Sequence, residues 1–218
     1  EVDREKYKAL KVNYLGTKYL IDALIKNKNK KKIWFFFASS SHVYKFSKKK
    51  LKEEDIIQPL NYYGSLKYKT EKYLLKKSTL INICVGRIFS FTDSKQNKSF
   101  FIPSIFNKII HEKSFAFHKL HKEIRDFISV DDIVKALLLL MKFNYRGVVN
   151  ICNGKKTNLF SVYESIAKLL KKKIIKKKSY KNFNILVGNN TKLKKLGFRP
   201  KHDIDDIIKD YLKNKLIK

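Results

Sequence analysis

The stretch "NYYGSLKYKTEK", residues 61–72, places Tyr63 four positions before Lys67, so a helix would stack a phenol and an ammonium on one face. Spacing alone carries no weight here. Tyr7/Lys11, Tyr14/Lys18, Tyr44/Lys48, Tyr68/Lys72, Tyr73/Lys77 and Tyr211/Lys215 repeat it, because 50 of 218 residues are Lys or Arg. The flanks give the stretch its meaning. Asn61 is a candidate cap for a helix from about 62 to 77. Upstream, "IWFFFA" at 33–38 is an apolar run ending in three serines, and downstream "INICVGRIF" at 81–89 is apolar and β-branched. Both suit strands buried on two faces. Strand, helix and strand in alternation predict parallel βαβ packing, in which ligands gather at the carboxyl ends of the strands. The serines stand at such an end.

Further out, "EKYKALKVNYLGTKYLIDALIK" (5–26) reads as one packed helix with Leu10, Tyr14, Thr17, Leu20, Ile21, Leu24 and Ile25 near one face. A helix is expected near 103–112. In "DFISVDDIVKALLLLMKF" (126–143) a strand leads into an apolar helix capped by Asp131 or Asp132, and "GVVNICNG" (147–154) is another strand. Residues 160–171 and 203–216 read as amphipathic helices, with the lysine-rich stretch 171–182 as a mobile connection.

Composition narrows the function classes. The formal charge is +31, yet only five of the 50 cationic residues are arginines, and lysine is spread along the whole chain. Base-reading surfaces favour the guanidinium fork, so a specific nucleic-acid partner is not expected. Apolar runs fall well short of the ~18–20 residues of a membrane span. Cys84 and Cys152 lie inside apolar segments and read as core. His118 and His121 lack a metal-ligand pattern and read as surface residues, so no metal is expected. The opening "EVDREKYKAL" shows no cationic-then-apolar leader, which points to the cytoplasm.

A nearby ammonium favours the ionised form of a phenol, so Lys67 is expected to lower the pKa of Tyr63 and fit it for proton exchange with a substrate oxygen. A hydroxyl such as that of Ser40 could hold the same oxygen.

In order and spacing, "ALKVNYLGTKYLIDAL", "FFFASSSHVYK", "EEDIIQPLNYYGSLKYKTEKYL", "VGRIFSF", "IRDFISVDDIVKAL", "GVVNICNG" and "TKLKKLGFRP" make the chain from about residue 9 onward resemble the extended short-chain dehydrogenases/reductases. The resemblance is to their NAD-dependent epimerase/dehydratase branch, which acts on nucleotide sugars. It implies an α/β fold: a Rossmann-like, doubly wound parallel sheet with a smaller mixed C-terminal substrate-binding region. Residues 1–91 would be an incomplete NAD(P)-binding region and 92–218 mostly substrate-binding, with 125–152 returning to the sheet. By resemblance Tyr63, Lys67 and Ser40 are catalytic. Asn13, Tyr63, Lys67 and Phe89 lie on the side of the cofactor, NAD or NADP. Ser40, Ser41, Ser90 and Arg125 lie on that of a nucleotide-diphosphate sugar, with Arg125 gripping the diphosphate. Relatives of this kind often pair as homodimers through helices corresponding to 9–26 and 62–77.

The departures carry information too. Relatives that dehydrate the sugar have a threonine and an acidic pair after the serine strand, where this chain reads "SSHVY"; those that epimerise neighbouring carbons have a cysteine where His42 stands. What remains is hydride transfer at sugar C4, by a 4-keto-hexose reductase or a C4 epimerase of surface-polysaccharide sugar synthesis. The seven glycines form neither GxGxxG nor GxxGxxG, and the only methionine is Met141. The phosphate-binding turn is therefore expected to precede Glu1, and the chain alone to bind the cofactor weakly and to expose an apolar strand edge.

Overall fold

A computed structural model describes residues 6–26, 33–111, 117–173 and 183–216. The chain opens with helix α1 (Lys6–Leu10), a π-helical turn at Lys11–Leu15, and helix α2 (Gly16–Lys26). The expected single helix is thus interrupted by a wider turn. Of its expected inner face, Ile21 is buried and Leu24 and Ile25 pack beside it, whereas Leu20 is exposed.

Strand β1 (Trp34–Ser40) leads through a 3₁₀ turn at Ser41–Val43 towards helix α3 (Tyr62–Leu75) and strand β2 (Asn82–Ile88). Asn61 caps α3 as the sequence predicts, its side-chain oxygen accepting from the Gly64 N–H at 2.9 Å. After helix α4 (Phe101–His111) come strand β3 (Glu123–Arg125), helix α5 (Val130–Lys142) and strand β4 (Gly147–Ile151). The chain continues through strand β5 (Thr157–Asn158), helix α6 (Leu159–Leu169), strand β6 (Asn184–Leu186), helix α7 (Thr191–Lys195) and helix α8 (Ile204–Leu216). Of the stretch expected to be mobile, residues 174–182 lie outside the described residues.

Three strands form a parallel sheet in the order β1-β2-β4, and three short ones a mixed sheet in the order β5-β3-β6. This is the expected α/β class. The apolar run of β1 packs on both faces, but as an edge strand it is buried only at Phe37 and Ser39, its other residues being partly buried and Ala38 exposed, short of the full burial its sequence suggests. Phe35 and Phe37 meet α2 and α3 on one side, while Trp34 and Phe36 face the cluster of Ile133, Ala136 and Leu140 from α5 on the other. Each fully buried side chain of this size removes about 1.5–3 kcal/mol of hydration cost. A second core of Phe160, Ile166, Ile208 and Tyr211 holds α6 and α8 together. Cys84 and Cys152 are both buried.

Two expectations fail around α5. Residues 126–129 form no strand; they make a single parallel bridge, Ser90 to Phe127, and the nearby strand β3 belongs to the second sheet. The cap of α5 is Ser129, whose hydroxyl accepts from the Asp132 N–H at 3.0 Å. Asp132 is committed elsewhere. Its buried carboxylate accepts from the backbone N–H groups of Lys201 and His202, each at 3.1 Å, and so anchors the approach to α8.

Candidate active site

Helix α3 starts close against the end of β1 because position 64 has no side chain. A Cβ at Gly64 would lie 2.2 Å from the His42 carbonyl oxygen, so any other residue would push the helix away. From that start Tyr63, Lys67 and Glu71 follow at four-residue intervals and share one face. Lys67 donates to the Ala38 carbonyl at 2.9 Å, and its ammonium lies 5.5 Å from the centre of the Tyr63 ring and 4.9 Å from that of Phe37. The Tyr63 phenol interacts with the Ser40 hydroxyl.

The electrostatics correct one expectation. Burial raises the pKa of Tyr63 above its ordinary value, and the opposing contribution comes from the Ser40 hydrogen bond. Lys67 does not bring it down. Burial lowers the pKa of Lys67 itself, with Glu71 opposing.

The three serines part company. Ser40 is partly exposed on extended backbone, its hydroxyl accepting from the His42 N–H at 3.2 Å. Ser41 is buried in the 3₁₀ turn. Ser39 is buried and donates to Glu71, which receives Arg87 through Nε at 3.1 Å and Nη2 at 2.7 Å. Arg87 also donates to the Tyr44 hydroxyl at 2.8 Å, and that hydroxyl to Asn150 at 2.7 Å. This buried polar chain underlies the site and was not foreseen. Arg87, the one charge inside the apolar strand β2, was its available signal, because a buried charge must pair.

On the rim, His42 meets the Tyr63 ring edge-on at 6.2 Å between centres, and its Nδ1 lies 3.2 Å from the Asn61 side-chain nitrogen. Burial first, then the charge of Arg125, lowers the His42 pKa. Arg125 therefore faces the same region. Its guanidinium donates to the Asn184 and Ile124 carbonyls at 2.8 and 3.0 Å, pairs with Glu123 and lies over Phe46.

Phe89 and Ser90 follow β2 directly, and β2 pairs Ile88 with Ser40, so both stand at the same sheet edge. The Phe89 ring turns into a buried cluster with Tyr44, Cys152 and Leu186. Ser90 is partly buried and donates its N–H to Asp126. Asn13 sits in the π turn; its amide donates to the Ala9 carbonyl at 3.1 Å, and its own carbonyl accepts from Thr70 of α3. The structure thus gathers Ser40, His42, Tyr63, Lys67 and Arg125, and leaves Asn13 beside the flank of α3.

Among the described residues no group of three or more His, Cys, Asp or Glu could hold a metal, and no helix is long and apolar enough to cross a membrane. His121 is buried and stacks on Phe160 at 3.8 Å, contrary to the surface reading. The His118 side chain lies outside the described residues.

A family model described as GDP-mannose 4,6 dehydratase matches residues 5–211. The chain belongs to that family. It falls within the NAD-dependent epimerase/dehydratase enzymes of the extended short-chain dehydrogenases/reductases, which modify nucleotide sugars. Among curated members of the group, the chain is 28% identical over 179 residues to a GDP-6-deoxy-D-mannose reductase of Pseudomonas aeruginosa, covering 77% of this chain and 58% of that protein. It is 27% identical over 154 residues to a dTDP-D-glucose 4,6-dehydratase of Dictyostelium discoideum, covering 64% and 35%. The chain therefore spans between about a third and three fifths of the curated relatives it matches. In fold it is similar to the RMD structure from Pseudomonas aeruginosa complexed with NADPH, with a TM-score of 0.80 at 22% identity over 96% of this chain and 75% of that one. It is also similar to a UDP-N-acetylglucosamine 4-epimerase from Methanobrevibacter ruminantium, with a TM-score of 0.81 at 24% identity over 98% and 73%.

Proposed function

We propose that the chain carries the catalytic and substrate-side residues of an NAD(P)-dependent nucleotide-sugar enzyme acting at C4, as a 4-keto-hexose reductase or a C4 epimerase in surface-polysaccharide sugar synthesis. The observation that carries this reading is the meeting of three groups at one sheet edge: the Tyr63 phenol, the Ser40 hydroxyl that interacts with it, and the Lys67 ammonium 5.5 Å from the phenol ring.

Burial keeps the Tyr63 phenol protonated at neutral pH, which suits a general acid. In the reductive direction it gives its proton to the oxygen on C4; in the oxidative direction it takes that proton back. Ser40 holds the same oxygen. Lys67 spends one of its three donors on Ala38 and keeps two for ribose hydroxyls, so these residues fit the nicotinamide-ribose end of NAD or NADP. When bound, that cofactor supplies or accepts the hydride. On this reading Asn13 and Phe89 stand on the cofactor side. Ser41, Ser90 and Arg125 stand on the sugar-nucleotide side, where Arg125 would grip a diphosphate by exchanging its contacts with Glu123 and the Asn184 carbonyl for phosphate oxygens. Residues 1–91 and 92–218 divide these duties, with 125–152 rejoining the cofactor region. Dehydration is disfavoured because no acidic pair follows Ser40. The protein would work in the cytoplasm and pair through α2 and α3.

The test is isotopic. The chain, expressed with any in-frame coding sequence upstream of Glu1, is given nicotinamide-deuterated NADPH or NADH and a nucleotide-linked 4-keto hexose. Deuterium at sugar C4 is expected. Deuterium elsewhere, or none transferred, contradicts the assignment.

A second reading rests on a specific observation, the lack of a glycine-rich turn in this sequence. The 218-residue chain alone would then bind a nucleotide sugar without turning it over. Titration calorimetry that finds a sugar nucleotide but no micromolar NAD(H) or NADP(H) bound supports it; tight cofactor binding removes it.

A further inference from the structure

Asn61 links the start of α3 to the ring of His42 and fixes the state of that ring. Its side-chain oxygen accepts from the Gly64 N–H at 2.9 Å, which is the cap of α3. A backbone N–H can only donate, so the amide cannot be turned round without opposing two donors. The Asn61 nitrogen is therefore the atom that lies 3.2 Å from His42 Nδ1. That nitrogen is also a donor. His42 must accept at Nδ1, and a neutral imidazole that accepts at one nitrogen carries its proton on the other.

The ring is held in this state from several sides. Tyr63 of α3 packs against it edge-on at 6.2 Å, and the His42 backbone N–H is tied to the Ser40 hydroxyl. Arg125 acts on it from β3, and a cation there disfavours a second positive charge. Nε2 has no hydrogen-bond partner among the described residues, and the side chain is only partly buried. An N–H donor with no acceptor among the described residues, on a ring that packs against Tyr63 and feels the charge of Arg125, is free to meet an oxygen from outside.

We propose that His42 is a specificity-determining residue, a neutral imidazole that donates its Nε2–H to an oxygen of the hexose bound beside Tyr63. This rests on the reading of the site given under the proposed function and adds a contact to it. A consequence follows for the chemistry. With its proton on Nε2 and Nδ1 engaged by Asn61, the ring presents no free lone pair to the sugar. His42 therefore binds oxygen and does not remove a carbon-bound proton next to the ketone.

The tautomer is read directly by ¹⁵N-detected imidazole spectra of the uniformly labelled protein at neutral pH. His42 is expected with an unprotonated Nδ1 and a protonated Nε2. Asn61→Asp keeps the cap, since aspartate caps as well as asparagine, but presents a carboxylate oxygen to Nδ1 and should draw the proton there. Binding is followed by calorimetry with GDP-mannose, UDP-glucose and dTDP-glucose as probes. His42→Phe keeps an aromatic ring and loses the donor, so the best-bound probe should weaken about tenfold, the worth of one hydrogen bond. Asn61→Asp should weaken it similarly, and His42→Gln, which restores an N–H, should stay within about threefold of the parent. A proton found on Nδ1 in the unaltered protein overturns the proposal, and so does a His42→Phe protein, or a His42→Leu one should Phe impair folding, that binds as tightly as the parent. Failure of the unaltered protein to bind any of the three sugars overturns the reading of the site itself, and His42's role with it.

Discussion

The two ends of helix α3 present the same pair of residues and differ in nearly everything else. At the start, Lys67 lies 5.5 Å from the Tyr63 ring; at the end, Lys77 lies 5.6 Å from the Tyr73 ring. Sequence spacing and cation–π geometry do not tell them apart. Their surroundings do. Burial is the main cause that raises the Tyr63 phenol, and the Ser40 hydroxyl stands against it. For Tyr73 the main cause is a hydrogen bond to the carboxylate of Asp22, itself paired with Lys18. A phenol held by a hydroxyl at a sheet edge can pass its proton to a ligand oxygen, whereas one held by a carboxylate on the surface ties two helices together. The pair becomes a candidate site only where a strand end delivers a hydroxyl to it.

The largest effect is expected from Lys67→Met, which removes an ammonium bound to the end of β1; turnover with a nucleotide-linked 4-keto hexose should fall at least about a hundredfold. Lys77→Met, at the far end, should leave the rate unchanged, and an equal loss from both would erase the distinction. Next comes the middle of the helix. Glu71→Ala leaves Arg87 buried without its partner, and chemical denaturation should show a loss of about 3–5 kcal/mol. Asp22→Ala removes a partly exposed partner of Tyr73 and Lys18 and should leave the unfolding midpoint nearly in place. The smallest effect concerns pH. The His42 pKa lies below its ordinary value of about 6.5, so the folded chain binds fewer protons than the unfolded one in the window between them. Stability from this group is complete above about pH 6.5 and is lost as pH falls through the folded-state value. His42→Gln should flatten the midpoint-against-pH curve in that window; an unchanged slope would show that His42 does not supply it.

Much of this arrangement is legible in the residues. The β1 run, the serines after it, the Asn61 cap and the α3 face announce themselves because each depends on neighbours in sequence. What escapes depends on distant partners. The π turn at Lys11–Leu15 divides a helix whose apolar periodicity reads as continuous. Ser129 takes the cap of α5 because Asp132 is drawn to Lys201 and His202, about 70 residues away. His121 lies in a polar stretch yet stacks on Phe160, a contact made by α6. The state of Tyr63 follows the same rule: the spacing to Lys67 is visible in the sequence, but the burial that raises the phenol is not.

One pair of variants bears most directly on whether the start of α3 is a proton-transfer site. Tyr63→Phe and Tyr73→Phe each remove a single hydroxyl from the same helix, and single-turnover hydride transfer to a nucleotide-linked 4-keto hexose can be followed by nicotinamide absorbance for both. Tyr63→Phe should slow the step by about 10²–10⁴-fold while Tyr73→Phe matches the parent. Equal rates for the parent and Tyr63→Phe would contradict the account.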